Sequence, residues 1–463
     1  MREGFRPNPE MGGDSPEEQL DVRWYERFEQ FGSFEAFEYL GGDKDQRAGE
    51  KEDFLSGNKE NPKLDYPLLD LDVLDSNEAE LLNLKKDVLD QETNEVVKKA
   101  YRWRINEKLA ELRMLKAAAH GDMRRFGRYT DFVYGKPSPE IFQYTIGHLK
   151  EQITETSKHD NENLIAAAQE LEKVLPSVSV EVEFSQLPTA EEFGETSEAV
   201  LAQFKDLITI PIEGERADAE QTKAAFEAAF SKLGLEGTGW EVVVDTESSR
   251  TGISVNQENK TVQVPESTDR LVTQLKKLIV HEIGTHVAKR EKGERSKLRL
   301  LGLGLDRYDP GEEGIATMRE QVFSDEITDF SGLAGHLAIS LARGVDGEPR
   351  DFRQTYDILQ KYFYWNSLRL GASNEVAQKN STTYAWNRAV RTFRGSDSKT
   401  PGACFTKDIV YREGNIGVWD VVSKNKDELQ RFQVGKYDPA NARHIWILES
   451  LGITDEELVE MEQ

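Results

Sequence analysis

"STDRLVTQLKKLIVHEIGTHVAKREKG", Ser267 to Gly293, is the stretch on which the fold turns. Its apolar residues recur at helical spacing, Ser267 or Thr268 is placed to cap the start, and Gly293 to close the end. It therefore predicts one long helix. Within it, His281 and His286 stand five residues apart, with Glu282 beside the first. On an ideal α-helix five residues sweep about 140° around the axis, too far for two imidazoles to share one ion. A single π-type turn, which pairs residue i with i+5, restores a common face, and such turns often sit at functional sites. Gly284 is where that distortion meets least resistance. The reading is a bulged metal-binding helix.

The residues before it change period. "WEVVVD" (Trp240 to Asp245) alternates as a strand, and "RTGISVNQ" and "TVQVP" flank Glu258-Asn259-Lys260 as a hairpin. A small sheet thus leads into the helix, and its edge at Thr261 to Pro265 offers a place for an extended peptide to add a strand. Two histidines do not complete a catalytic zinc site, which needs a third protein ligand and an open position for water. "DPGEEGIATMREQ" (Asp309 to Gln321) predicts a second helix with Pro310 in its first turn. A carboxylate from a neighbouring helix can serve as third ligand, and spacing leaves Glu312 and Glu313 equal candidates.

Elsewhere helical periodicity dominates from Asp65 to Thr156 and again beyond Glu312, apart from a strand expected at "CFTKDIVYREG" (Cys404 to Gly414). The expected divisions are an acidic, disordered tail over 1–65, a helical N-terminal part of the body over 66–235, and a core bearing the metal site over 236–463. Within the tail, the aromatics of "WYERFEQFGSFEAFEYL" (Trp24 to Leu40) recur at roughly helical spacing and favour docking on the body. The fold class expected is α+β, mostly α. His336, in the apolar "SGLAGHLAIS", reads as structural.

Composition bounds the rest. The 463 residues carry a formal net charge of −26. Such a field repels nucleic acid, anionic lipid and acidic protein tails, which argues against all three as partners and against microtubule binding. Cys404 is the only cysteine, so neither an intrachain disulfide nor a cysteine-based zinc site can form. No apolar run is long enough to span a membrane, and the N-terminus has no apolar leader. A cytoplasmic location is expected.

"HEIGTH" followed by "EEGIA" resembles the tyrosine carboxypeptidase family, together with "YGKPSPEIF" (Tyr134 to Phe142), "RTFRG" (Arg391 to Gly395) and "CFTKDIVYREG". Bacterial relatives commonly carry Gln-Glu-Gly-Leu-Ala at the second motif, which implies Glu313 rather than Glu312 as the ligand. The resemblance implies a zincin-like metallopeptidase with one Zn2+ per chain. It also implies release of an aromatic residue (Tyr or Phe) from a peptide or protein C-terminus. Zinc held by His281, His286 and Glu313 leaves Glu282 as general base. Reading a terminal carboxylate calls for a fixed cation, for which Arg391, Arg394 and Lys407 are the candidates. Tyr411 is the expected donor to the developing oxyanion. An endopeptidase or dipeptidyl peptidase with the same metal chemistry is the first alternative. A non-catalytic metal-containing regulatory protein is the second, but a structural site has no use for Glu282.

Overall fold

The structure, a computed structural model, describes residues 19–453 apart from 157, 178–186, 210–211, 213 and 247–251. Residues 1–18 of the expected tail lie outside the described residues. Residues 19–65 are folded, contrary to the expectation of disorder up to residue 65. Helix α1 (Val22–Gly32) buries Trp24, Tyr25, Phe28 and Phe31, as the aromatic spacing predicts, and α2 (Lys44–Leu55) follows it. The α1 aromatics pack with the apolar faces of α3 (Leu71–Gln91), α4 (Glu95–Ala119) and α5 (Met123–Tyr134). Asp21 pins the start of α1. Its carboxylate accepts backbone N–H groups of Arg299 and Leu300 at 2.9 Å and the Tyr101 hydroxyl at 2.8 Å. Composition alone missed this because a short polar segment can fold when its few aromatics find a prepared apolar surface.

A second core joins α6 (Pro139–Thr156) and α7 (Glu162–Glu172) to helices of the C-terminal half. The third core carries the site. It contains α8 (Ala190–Gln203), α9 (Ala219–Lys232) and two small sheets. Strand β1 (Arg216–Asp218) leads directly into α9, which Asp218 and Gln221 start with a reciprocal capping box. Strands β2 (Glu241–Asp245), β3 (Ser254–Asn256) and β4 (Thr261–Pro265) form a sheet in the order β2-β4-β3. The β3–β4 pair is antiparallel, as a hairpin requires, and β2–β4 is parallel. Thr261 to Pro265 is therefore the central strand, and the peptide-pairing edge expected there does not exist.

Two other expectations change. Asp269–Leu271 forms β5, paired antiparallel with β1, so Ser267 and Thr268 do not cap the histidine-bearing helix. That helix starts at Val272 as α10 (Val272–Leu278) and passes through a π-helical segment (Ile279–Val287) into α11 (Ala288–Arg295). It runs past Gly293. Further on come α12 (Leu300–Leu303), α13 (Asp309–Gln321), α14 (Leu333–Arg343), α15 (Phe352–Arg369) and α16 (Asn374–Phe393). The strand expected at Cys404 to Gly414 is instead a short irregular stretch and a turn at Lys407–Asp408, followed by the start of α17 (Ile409–Lys424). Alternation of polar and apolar residues over so short a stretch fits either element. The class is α+β, mostly α, and no helix among the described residues is long and apolar enough to cross a membrane.

If α1 is integral to the first core, Phe28→Ala should cost about 3–5 kcal/mol. Urea denaturation followed by tryptophan fluorescence would detect it; a midpoint equal to the parent's would mean that α1 is only loosely attached.

Candidate metal centre

The π segment answers the geometric objection to a five-residue spacing. The Ala288 N–H reaches back five residues to the Ile283 carbonyl, and the Thr285 hydroxyl donates to the Val280 carbonyl at 2.9 Å, again five residues back. His281 and His286 consequently face the same way, with ring centroids 4.9 Å apart. Gly284 lies in this segment for a packing reason. A β-carbon there would stand 2.8 Å from Phe204 Cε1 and 3.1 Å from Leu207 Cδ2.

Helix α13 supplies what the π segment lacks. Glu313 Oε2 lies 3.9 Å from His281 Nε2 and 3.9 Å from His286 Nε2. Donor atoms of the three residues all fall within 4.8 Å of one another. That oxygen is buried and has no hydrogen-bond partner in the protein, a costly state unless a cation satisfies it. Two imidazoles and a carboxylate converging on one point, with an orphaned oxygen among them, fit a divalent metal.

The other nitrogen of each imidazole also meets an acid from α13. His286 Nδ1 donates to Glu312 Oε1 at 2.9 Å, and Lys289 Nζ sits 2.7 Å from the second Glu312 oxygen. His281 Nδ1 lies 2.8 Å from Glu320 Oε1. Burial alone would raise the Glu312 pKa, but Lys289 and His286 outweigh it and hold the carboxyl well below the usual range. Burial would lower that of His281, yet Glu282, Glu320 and Glu313 together push it up to about 10. The pocket thus concentrates negative charge where a cation would sit. Arg319 completes the clamp, donating to the Gly284 carbonyl at 3.2 Å and to the Thr285 hydroxyl at 2.9 Å. Neither Glu320, Arg319 nor Lys289 was singled out from sequence. The available signal was the seven-residue step, two helical turns, that relates Glu312 to Arg319 and Glu313 to Glu320.

Glu282 is buried beside His281, and burial raises its pKa against the pull of His281 and His286. Tyr411 projects from α17, not from a strand. Close glycine contact brings α17 to α13, where a β-carbon on Gly314 would run into the Gly414 carbonyl. Burial raises the Tyr411 pKa, and the Glu313 charge raises it further, so the hydroxyl stays protonated near the three donors.

The three candidate cations lie in one neighbourhood but differ in access. Arg391 Nη2 bonds Asp408 at 2.9 Å while its side chain remains 43% exposed, and its charge reaches Tyr411. Lys407 is committed to Asp309 at 3.1 Å and only 11% exposed. The Arg394 guanidinium lies over the Phe405 ring, 5.8 Å from its centroid. His336 stands apart, fully buried with Nε2 3.1 Å from Glu413.

Comparison with protein families gives one match. A family model described as microtubule-associated tyrosine carboxypeptidase covers residues 182–362 and 373–457, more than half of the chain. No curated protein matches it in sequence.

Gly284→Ala should destabilise the chain by about 1–3 kcal/mol through overpacking against Phe204 and Leu207. Adding Phe204→Leu should recover part of the loss in thermal denaturation; no recovery would locate the constraint in the backbone of the π segment instead.

Proposed function

Because the chain belongs to the microtubule-associated tyrosine carboxypeptidase family, a family of peptidases, we propose that it is a zinc metallocarboxypeptidase. It removes an aromatic residue, Tyr or Phe, from the C-terminus of a peptide or protein. The single observation that carries the metal chemistry is the convergence of His281, His286 and the unpartnered Glu313 oxygen on one point. Donors at tetrahedral zinc, about 2.0–2.2 Å from the ion, stand roughly 3.4 Å from one another. The 3.9 Å separations from Glu313 to both histidines need close by only a little. When bound, zinc supplies Lewis acidity that brings the pKa of the attacking water toward neutrality.

The residues of the chain divide the remaining work. Glu282 accepts the proton from the attacking water and returns it to the departing amine, and the burial that raises its pKa favours taking up that proton. Tyr411, held protonated, donates to the oxygen on which negative charge develops. Arg391 is the cation best placed to take the substrate's terminal carboxylate, because it is the most exposed of the three candidates. Asp408 holds it in place. The net charge of −26 opposes approach of a strongly acidic protein tail, so we place the substrate among neutral or basic C-termini. The protein works in the cytoplasm in this reading.

Glu282→Gln should abolish peptide hydrolysis while zinc content by metal analysis is unchanged; residual full activity would remove Glu282 from the mechanism. Arg391→Met should lower kcat/KM by about 10- to 100-fold for peptides with a free C-terminus. Mass spectrometry of a C-terminally diverse peptide mixture, with and without chelator and with amidated controls, is the decisive assay. Cleavage of amidated peptides at the same rate would point to an endopeptidase. Glu312→Ala should weaken zinc binding by about 10- to 100-fold, because it releases His286 and strands Lys289.

A further inference from the structure

Arg388 lies three residues before Arg391 on α16, so the two side chains leave the helix on one face. Like charges at that spacing repel each other unless an acid lies between them. Asp408 fills that place. Its Oδ2 accepts from Arg388 Nη1 at 2.5 Å, and its Oδ1 accepts from Arg391 Nη2 at 2.9 Å. Helix α14 is shaped around the pair. A β-carbon on Gly335 would stand 3.2 Å from both Arg388 Nη1 and the Asp408 β-carbon.

The charges in this group do not cancel. Two guanidiniums share one carboxylate, and no second acid ion-pairs with either among the described residues. The nearby Asp309 is taken by Lys407. The uncompensated positive charge is not sealed in: the side chains of Arg388 and Arg391 are 24% and 43% exposed, whereas that of Asp408 is 10% exposed. A guanidinium carries five N–H donors in a planar fork, and each arginine gives Asp408 only one terminal nitrogen. Donors therefore remain on both for a further acceptor. A second carboxylate, with one oxygen to each arginine, would complete an alternation of two cations and two anions.

The group is anchored to the helix that meets the metal centre. Asp408 immediately precedes α17, and Tyr411 lies in the first turn of that helix. The close approach of Gly314 and Gly414 sets the same end of α17 against α13, beside Glu313.

We propose that Arg388 and Arg391, held apart by Asp408, form a two-armed receptor for the substrate's terminal carboxylate, in which Arg388 binds substrate in its own right. The proposal rests on the carboxypeptidase reading for the identity of that ligand. One guanidinium would already attract a carboxylate; the second adds discrimination. A terminal amide offers a single acceptor oxygen, and its NH2 group would face a donor.

Binding rather than turnover tests this. The full-length Glu282→Gln protein, loaded with zinc, is titrated with a fluorescein-labelled alanine-based peptide ending in tyrosine, as free acid and as amide. The free acid should bind about tenfold more tightly or better. Adding Arg388→Met should lower that acid-to-amide ratio by about five- to tenfold with amide affinity unchanged. Arg388→Lys, which keeps the charge without the planar fork, should fall between the two. A ratio unchanged in both variants would overturn the two-armed receptor. So would equal losses of acid and amide affinity, the mark of a merely structural residue, or equal binding of acid and amide before Arg388 is changed. The peptidase reading is decided separately, by hydrolysis of the free-acid peptide with the parent protein. A parent that hydrolyses nothing, alongside a ratio that falls with Arg388→Met, would defeat that reading and leave the receptor standing.

Discussion

Helix α13 lying against the π segment is the contact on which the site depends. A π turn is an unstable element by itself, since it loosens backbone packing and leaves carbonyls poorly placed. Here Arg319 ties down the Gly284 carbonyl and the Thr285 hydroxyl, and Phe204 and Leu207 fill the space beside Gly284. The same helix presents Glu312 to one histidine, Glu320 to the other, and Glu313 between them. One rigid element therefore both stabilises the distortion and supplies the groups that the distortion exposes. Had these partners come from separate loops, small independent motions would separate donors that must stay within a few tenths of an ångström of each other.

The electrostatics follow from the same packing. Glu282, Glu312, Lys289 and Arg319 are all buried within two turns of the histidines, which is tolerable only if nearly every charge has an opposite neighbour. Lys289 and His286 balance Glu312. The group left without protein compensation is the cluster of Glu313, Glu282 and Glu320 around His281, and it is this excess that pushes the imidazole pKa so far up. A divalent cation relieves the excess directly. The metal proposal thus has an electrostatic basis as well as a geometric one, and both derive from the residues of α13.

The five-residue spacing in "HEIGTH" was enough to infer the π turn, because at that spacing a regular α-helix turns the two imidazoles too far apart to share one ion. Glu312 and Glu313 could not be separated by spacing, since adjacent residues on a helix diverge by about 100° and either may face a partner of unknown position. In the structure Glu313 faces both histidine Nε2 atoms, and Glu312 faces Nδ1 of His286. No local pattern marks Gly314 or Gly414, yet their close approach is what lets α17 carry Tyr411 close to Glu313. Such long-range fits leave no local pattern. Residues 41–65 failed for the opposite reason: their local composition is that of a disordered tail, and only distant partners, such as the Phe352, Tyr356 and Trp386 rings that receive Phe54, make order favourable.

Access divides the cations that local sequence treats as equivalent. Arg391 and Arg394 are three residues apart on and just beyond α16, so they point along neighbouring faces, one toward Asp408 and solvent, the other toward Phe405. Lys407 sits between Asp309 and the rings of Phe37 and Tyr134. Both Arg391 and Lys407 are already ion-paired, but the Lys407 pair is buried, whereas Arg391 keeps enough exposed surface to receive a terminal carboxylate without giving up Asp408. That asymmetry favours a half-exposed arginine as receptor and a buried lysine as a fixed source of positive potential. The two roles are compatible in one cleft because Tyr411 senses both cations, so the field that attracts a carboxylate is the same field that faces an oxyanion forming beside the metal.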